Sequence, residues 1–103
     1  MTDLPILDWL MRWYESHCDG EWEEDGGFEI TNLDNPGWSV KLPLKGTALS
    51  NRNYGRVEHN YDHETEWWTC WVEKDEFHGA GGPLQLRAML EEFRRWAESP
   101  ADS

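Results

Sequence analysis

The chain has 103 residues, a formal net charge of −12, 38% apolar residues and 14% aromatic ones, eight of them tryptophan. That length suits one domain burying roughly two thirds of its unfolded surface, and the aromatic content excludes a disordered acidic tail. The charge excludes a nucleic-acid binder, because phosphates would be repelled, and no stretch approaches the roughly 18 apolar residues of a membrane span.

A first helix is expected from about Leu4 to Cys18. Asp3 stands at the N-cap position with Pro5 in the first turn, and Ile6, Leu10, Trp13, Tyr14 and Cys18 recur at helical spacing. Leu7, Trp9 and Met11 widen the apolar face, the pattern of a helix packed on more than one side. Asp19-Gly20 ends it, with Gly20 free to adopt a left-handed conformation. Residues 19–27, DGEWEEDGG, place five acids and no base around Trp22, so they read as a charged loop whose tryptophan is either folded onto the core or presented to a partner. Phe28, Ile30 and Leu33 then form a strand. Asp34-Asn35-Pro36-Gly37 puts proline and glycine at the centre of a type II turn, which makes a hairpin. In the second strand Trp38, Val40, Leu42 and Leu44 face inward, and Ser39, Lys41, Pro43 and Lys45 face water. Pro43 has no donor for a ladder, so it belongs at an edge or a strand end.

Gly46 to Asn53 reads as a polar loop, Tyr54 to Tyr61 as a third strand with Val57, His59 and Tyr61 on one face, and residues 62–66 as a tight connection. Trp67 to Glu73 carries Trp68, Cys70 and Val72 on one face and Trp67, Thr69 and Trp71 on the other. Bulk on both faces marks a central strand. After an acidic turn, Phe77 and His78 add a short fifth strand. Gly79, Gly81 and Gly82 read as a bend of positive φ leading to a helix with Pro83 in its first turn. Apolar residues at 86, 89, 90, 93, 96 and 97 form one helical stripe that must lie on the sheet. Residues 98–103 read as a frayed tail. The expected architecture is α+β: a single domain over residues 1–103, with a four- to five-stranded antiparallel sheet in meander-like order and an N-terminal and a C-terminal helix packed on one face.

No catalytic constellation emerges. His17 and Cys18 are neighbours pointing about 100° apart on a helix, and Cys70, mid-strand among tryptophans, is the kind of thiol that burial makes inert. His59, His63 and His78 lack zinc-site spacing. The HGAGGP segment at 78–83 has neither a dinucleotide nor a Walker pattern. No catalytic residue, metal or cofactor is therefore expected. With no basic leader before an apolar run, the expected location is cytoplasmic, and there both cysteines should be reduced and packed as small hydrophobes.

Charge is unevenly spread. Residues 19–29 hold six acids and no base, and residues 58–76 hold seven acids against Lys74, while residues 35–57 contain Lys41, Lys45, Arg52 and Arg56 and no acid. Such a molecule steers toward a basic partner.

Several motifs in order, DGEWE at 19–23, DNPGW at 34–38, WWTCWVE at 67–73, FHGAGGP at 77–83 and LEEFRRWAE at 90–98, resemble the immunity protein 53 family of bacterial polymorphic toxin systems. The resemblance implies a small cytoplasmic antidote whose partner is a cognate protein toxin. The acidic charge suggests that this toxin is basic and nuclease-like. Neither nucleic acid nor membrane is an expected partner, and the protein should be a monomer or weak homodimer. Toxin contacts are expected at Glu21, Trp22, Glu23, Glu24 and Asp25, then at Asp62, Glu64 and Glu66, and at Glu73, Asp75 and Glu76. In the first group Trp22 would fill a pocket while the carboxylates meet a basic rim. The alternative functions are an acidic mimic of nucleic acid that inhibits a DNA-binding or restriction enzyme, and a small enzyme of unknown chemistry.

Overall fold

The computed structural model describes residues 4–18, 20, 27–34 and 36–99. Helix α1 (Ile6–His17) is followed by strands β1 (Glu29–Leu33), β2 (Gly37–Pro43), β3 (Val57–His59), β4 (Trp68–Glu73) and β5 (Glu76–Gly81), then by helix α2 (Leu86–Glu98). The strands form one antiparallel sheet in the order β1-β2-β5-β4-β3. Both helices lie on one face, so the α+β, two-layer reading holds.

The order departs from a simple meander. A β1–β2 hairpin and a β3–β4–β5 meander are joined by residues 44–56, which carry the chain across the sheet, so β2 and β3 never pair. β4 is an interior strand, as expected, paired with β3 and β5, and β5 lies in the middle of the sheet. The expected fifth strand at Phe77 and His78 is six residues long, and its glycines are strand residues, not a bend. The reason is close approach. A Cβ on Gly79 would sit 3.0 Å from the Met89 sulfur of α2, one on Gly81 would sit 2.9 Å from Cβ of Trp68, and one on Gly82 only 1.7 Å from the Thr65 carbonyl oxygen. Gly37 likewise opens β2 beside Gly81 instead of providing a turn of positive φ. Positive φ occurs instead at Gly20, as read from the sequence, and at Gly46.

Cross-strand register fixes which residues share a face. Val40, Gly79, Cys70 and Val57 form one row beneath the helices, and Leu42, Phe77 and Val72 form the next. Onto them α2 lays Met89, Leu90, Phe93 and Trp96, all buried. Phe93 is the hub, with its ring 4.9 Å from Phe77 and 5.1 Å from Trp13 of α1. Leu86 and Ala97 flank the stripe as expected. The helix starts at Leu86, so Pro83 lies in the turn before it, where its carbonyl accepts a hydrogen bond from the Trp38 indole.

Helix α1 is shorter and more one-sided than its sequence suggests. Pro5 is its N-cap, Asp3 lies outside the described residues, and only Ile6 and Leu10 are fully buried. Leu7 and Met11 are both 60% exposed, because α1 rests on α2 and the sheet along one stripe only. Cys18, expected in the core, is exposed just past the helix end. The third strand is trimmed to three residues, and Tyr61 is exposed. Leu49, in what reads as a polar loop, is buried. At the C-terminus, Glu98 is helical and accepts a hydrogen bond from the Trp9 indole, while Arg52 holds Ser99, so fraying does not begin at residue 98. Residues 100–103 lie outside the described part.

A polar clamp closes the β3 side of the core. The Tyr54 hydroxyl donates to Glu92, and Arg95 donates two bonds to the same carboxylate. Burial and the Glu92 bond raise the Tyr54 pKa. Burial alone would raise the Glu92 carboxyl, but the bonds from Arg95 and Tyr54 outweigh it, so the net direction is downward.

Two outcomes are expected. Phe93→Ala should cost about 3–5 kcal/mol in denaturant unfolding, as large-to-small core changes do; a loss under about 1 kcal/mol would place the ring outside the core. Glu92→Gln should cost about 1–3 kcal/mol at neutral pH, the penalty for disrupting a nearly buried hydrogen-bonded carboxylate. Because the folded-state pKa is depressed, this contribution is present above the unfolded carboxyl pKa and lost as pH falls through the folded one. The stability gap between the two proteins should therefore narrow in acid, as read from unfolding curves across pH.

Candidate interaction surface

The sequence-chosen acids fall into three groups. Glu21, Trp22, Glu23, Glu24 and Asp25 lie outside the described residues. Asp62, Glu64 and Glu66 are exposed on the turn between β3 and β4. That turn is self-supported: the His63 backbone N–H donates to the Asn60 carbonyl, and Nδ1 of His63 accepts from the N–H groups of Thr65 and Glu66. Its carboxylates are thus free of that structural task.

The third group sits at the opposite end of β4. Lys74 and Asp75, both at positive φ (54° and 60°), make a two-residue turn between the paired Glu73 and Glu76, the geometry that matches strand twist in a tight hairpin. Asp75 has a structural role, since its carboxylate accepts from the Ser50 hydroxyl and the Asn51 N–H, tying the long crossover to the hairpin. Glu76 reaches Lys41 at 3.6 Å and His78 at 3.5 Å. Glu73 accepts a long bond from the Trp71 indole, 3.4 Å. A strand of six residues separates the two turns by roughly 20 Å, so the structure does not gather these acids into one cluster.

The sheet face turned away from the helices joins the two ends. Across it runs a row that register aligns strand by strand: Glu29, Lys41, His78 and Trp71, extended by Arg56 just before β3. The His78 ring stacks on Trp71 at 5.3 Å and 11°, and the Arg56 guanidinium lies 4.7 Å from the Trp71 ring centre. Beside this row lie short side chains, Thr31, Ser39, Ala80 and the buried Thr69. Among the described residues no element packs over this face. The sequence assigned Trp71 to the side opposite Cys70 but gave no signal of its ring partners, His78 of β5 and Arg56 just before β3. Nor do Lys41 and Arg56 make a separate basic pole, because each is paired with a glutamate, Lys41 with Glu76 and Arg56 with Glu58.

The thiols differ. Cys70 is fully buried beneath α2, and burial together with nearby Glu92 pushes its pKa up to about 12. Cys18 is exposed at the end of α1. Among the described residues no three His, Cys, Asp or Glu side chains are grouped to hold a metal ion, and no helix is long and apolar enough to cross a membrane.

Taken together, fold and surface define a small, acidic α+β domain with one sheet face covered by helices and, among the described residues, no helix over the other. Residues 7–98 match the family model described as immunity protein 53, nearly the whole chain, and the protein belongs to that family. It is thus an immunity protein, and the family name implies binding to a cognate toxin. No curated protein and no solved structure matches the chain.

The contrast between the thiols gives a direct measurement. At pH 8 a thiol reagent should label one cysteine, Cys18, within minutes, with Cys70 reacting only on addition of denaturant. Rapid labelling of both in the folded protein would contradict the packing of Cys70.

Proposed function

We propose that the protein neutralises its toxin by direct, stoichiometric binding, and that the toxin is a basic, nuclease-type domain whose active-site rim meets the acidic groups of this chain. The observation that carries the reading is family membership combined with the charge distribution: thirteen of 21 acids fall within residues 19–29 and 58–76. A nuclease must attract phosphate and therefore presents a positive surface, which an acidic inhibitor meets with fast, salt-sensitive association. The carboxylates at 21–25, 62–66 and 73–76 act in this scheme as the steering rim. Trp22, within the first group, is a contact of the anchoring kind. The mimic of nucleic acid is the weaker reading, since it calls for carboxylates at phosphate-like spacing along an elongated face, whereas this domain measures 39 × 32 × 30 Å.

The test is binding to the toxin domain encoded beside the immunity gene, made with an inactivating substitution. The unsubstituted protein is expected to form a complex whose association rate falls steeply with salt. Reversing Glu64 and Glu66 to lysine should slow association and flatten that dependence while leaving the melting temperature unchanged, and Trp22→Ala should weaken binding by about 2 kcal/mol. Binding that ignores salt, or a toxin without basic surface, would remove the nuclease assignment. Absence of any complex would remove the neutralisation reading itself.

A further inference from the structure

We propose that the helix-free face of the sheet is the surface on which the toxin docks, with Trp71 as its anchor. The inference rests on the toxin-binding reading above and adds where the partner sits.

Three observations point to this face. The first is a fixed aromatic group. The Trp71 ring is held from the β3 side by the Arg56 guanidinium at 4.7 Å and from the β5 side by the parallel His78 ring at 5.3 Å. A tryptophan already locked in place loses little rotamer entropy on binding, and tryptophan and arginine are the residues most often found to carry interface energy. The second is relief. Next to this ridge the half-buried Ser39 and Ala80 are aligned across two strands, with the buried Thr69 beyond them, so short side chains lie beside the Trp71 ring and leave room for a loop of a partner. Trp67, whose carbonyl accepts from the Gly82 N–H, extends the β4–β5 pairing by one position and, by strand alternation, bounds this space on its other side.

The third is charge. Glu29, Glu58, Glu73 and Glu76 share this face with Lys41 and Arg56, which leaves it negative. Glu73 and Glu76 are directly paired across the hairpin, an arrangement of like charges that costs stability. Lys41 and His78 approach Glu76, but Glu73 has only the long indole bond. A basic partner laid on this face supplies the missing cation. A second copy of the chain would bring the same negative charge against it, which argues for the toxin over a homodimer.

The experiment uses the full chain and the inactivated toxin domain encoded beside it, with affinity measured by calorimetry. Circular dichroism and thermal unfolding follow the fold, and sedimentation follows self-association. Trp71→Ala should weaken binding at least about thirtyfold, the effect of truncating an interface anchor. Ser39→Arg, which fills the space beside the Trp71 ring without entering the helix-covered core, should weaken it comparably with the melting temperature retained. If the unsubstituted protein binds the toxin and both folded variants bind as well as it does, the docking face is overturned while the neutralisation reading stands. Self-association lost in Ser39→Arg with toxin affinity intact would give the face to a second copy and overturn the proposal equally. If the unsubstituted protein forms no complex, both readings fall.

Discussion

The fold depends on how closely α2 can approach the centre of the sheet. That approach is set by β5, whose helix-facing positions are Phe77, Gly79 and Gly81. One large ring and two missing side chains create a step: Phe77 meets Phe93, while the gap over Gly79 admits Met89, whose sulfur lies 3.0 Å from where a Cβ would be. Glycine ordinarily weakens a strand, because it costs backbone entropy and offers nothing to pack. Here the loss is offset by burial of Met89, Leu90, Phe93 and Trp96, each contributing roughly 1.5–3 kcal/mol of transfer energy if ordinary side-chain values apply. The approach also brings α1 into the core, because Phe93 is the ring against which Trp9 and Trp13 pack edge-on.

With both helices on one side, the other side of β5 and β4 is bare of helix among the described residues. The alternating pattern of β5 then has two unrelated duties. Phe77, Gly79 and Gly81 govern packing, and Glu76, His78 and Ala80 form the middle of the open face. A strand that carries the core on one side and the open face on the other ties His78, and through the stacked rings Trp71 of β4, to the core. The stacked row therefore inherits the rigidity of the sheet instead of the mobility of a loop, which is the condition for a preorganised contact.

Much of this was legible in the sequence, and the limits have physical causes. The α2 stripe was readable because a period of 3.6 over twelve residues has no other explanation, and β2 because it alternates without interruption. The β1–β2 hairpin was legible too, though not the reason for Gly37. The glycines of β5 misled because local preference assigns them to bends, whereas what they serve is proximity to groups distant in sequence: Trp68, Thr65 and Met89. The same limit applies to Cys18. Its spacing continues the α1 stripe, but the surface beneath that stripe runs out first, and sequence periodicity does not report where a partner ends. Leu49 is the converse case, a lone apolar residue in a polar loop that no period could detect; the crossover is fastened by Thr47 bonding to Leu44 and by Asp75 bonding to Ser50 and Asn51. Of the acids singled out, the turn at 62–66 is where the sequence placed it, and Asp75 was indistinguishable by composition from its neighbours although its carboxylate is engaged in the fold.

The placement of charge carries the argument one step further. An acidic protein gains solubility from carboxylates anywhere on its surface, and turns are the least costly place for them, since exposed side chains there keep their hydration. The 62–66 turn fits that description. Glu73 and Glu76 differ in one respect: the exposed Glu73 stands directly opposite the half-buried Glu76 across a closed hairpin beside Trp71, a pairing of like charges. Lys41, drawn from β2, partly compensates on the Glu76 side only. Glu76 is held by Lys41 and Glu73 by the Trp71 indole, so each acid has a partner in the fold while the repulsion between them remains. Under the proposed docking, a partner that brings positive charge to the open face would relieve this repulsion on association, and the relief would add to the preference for the bound state.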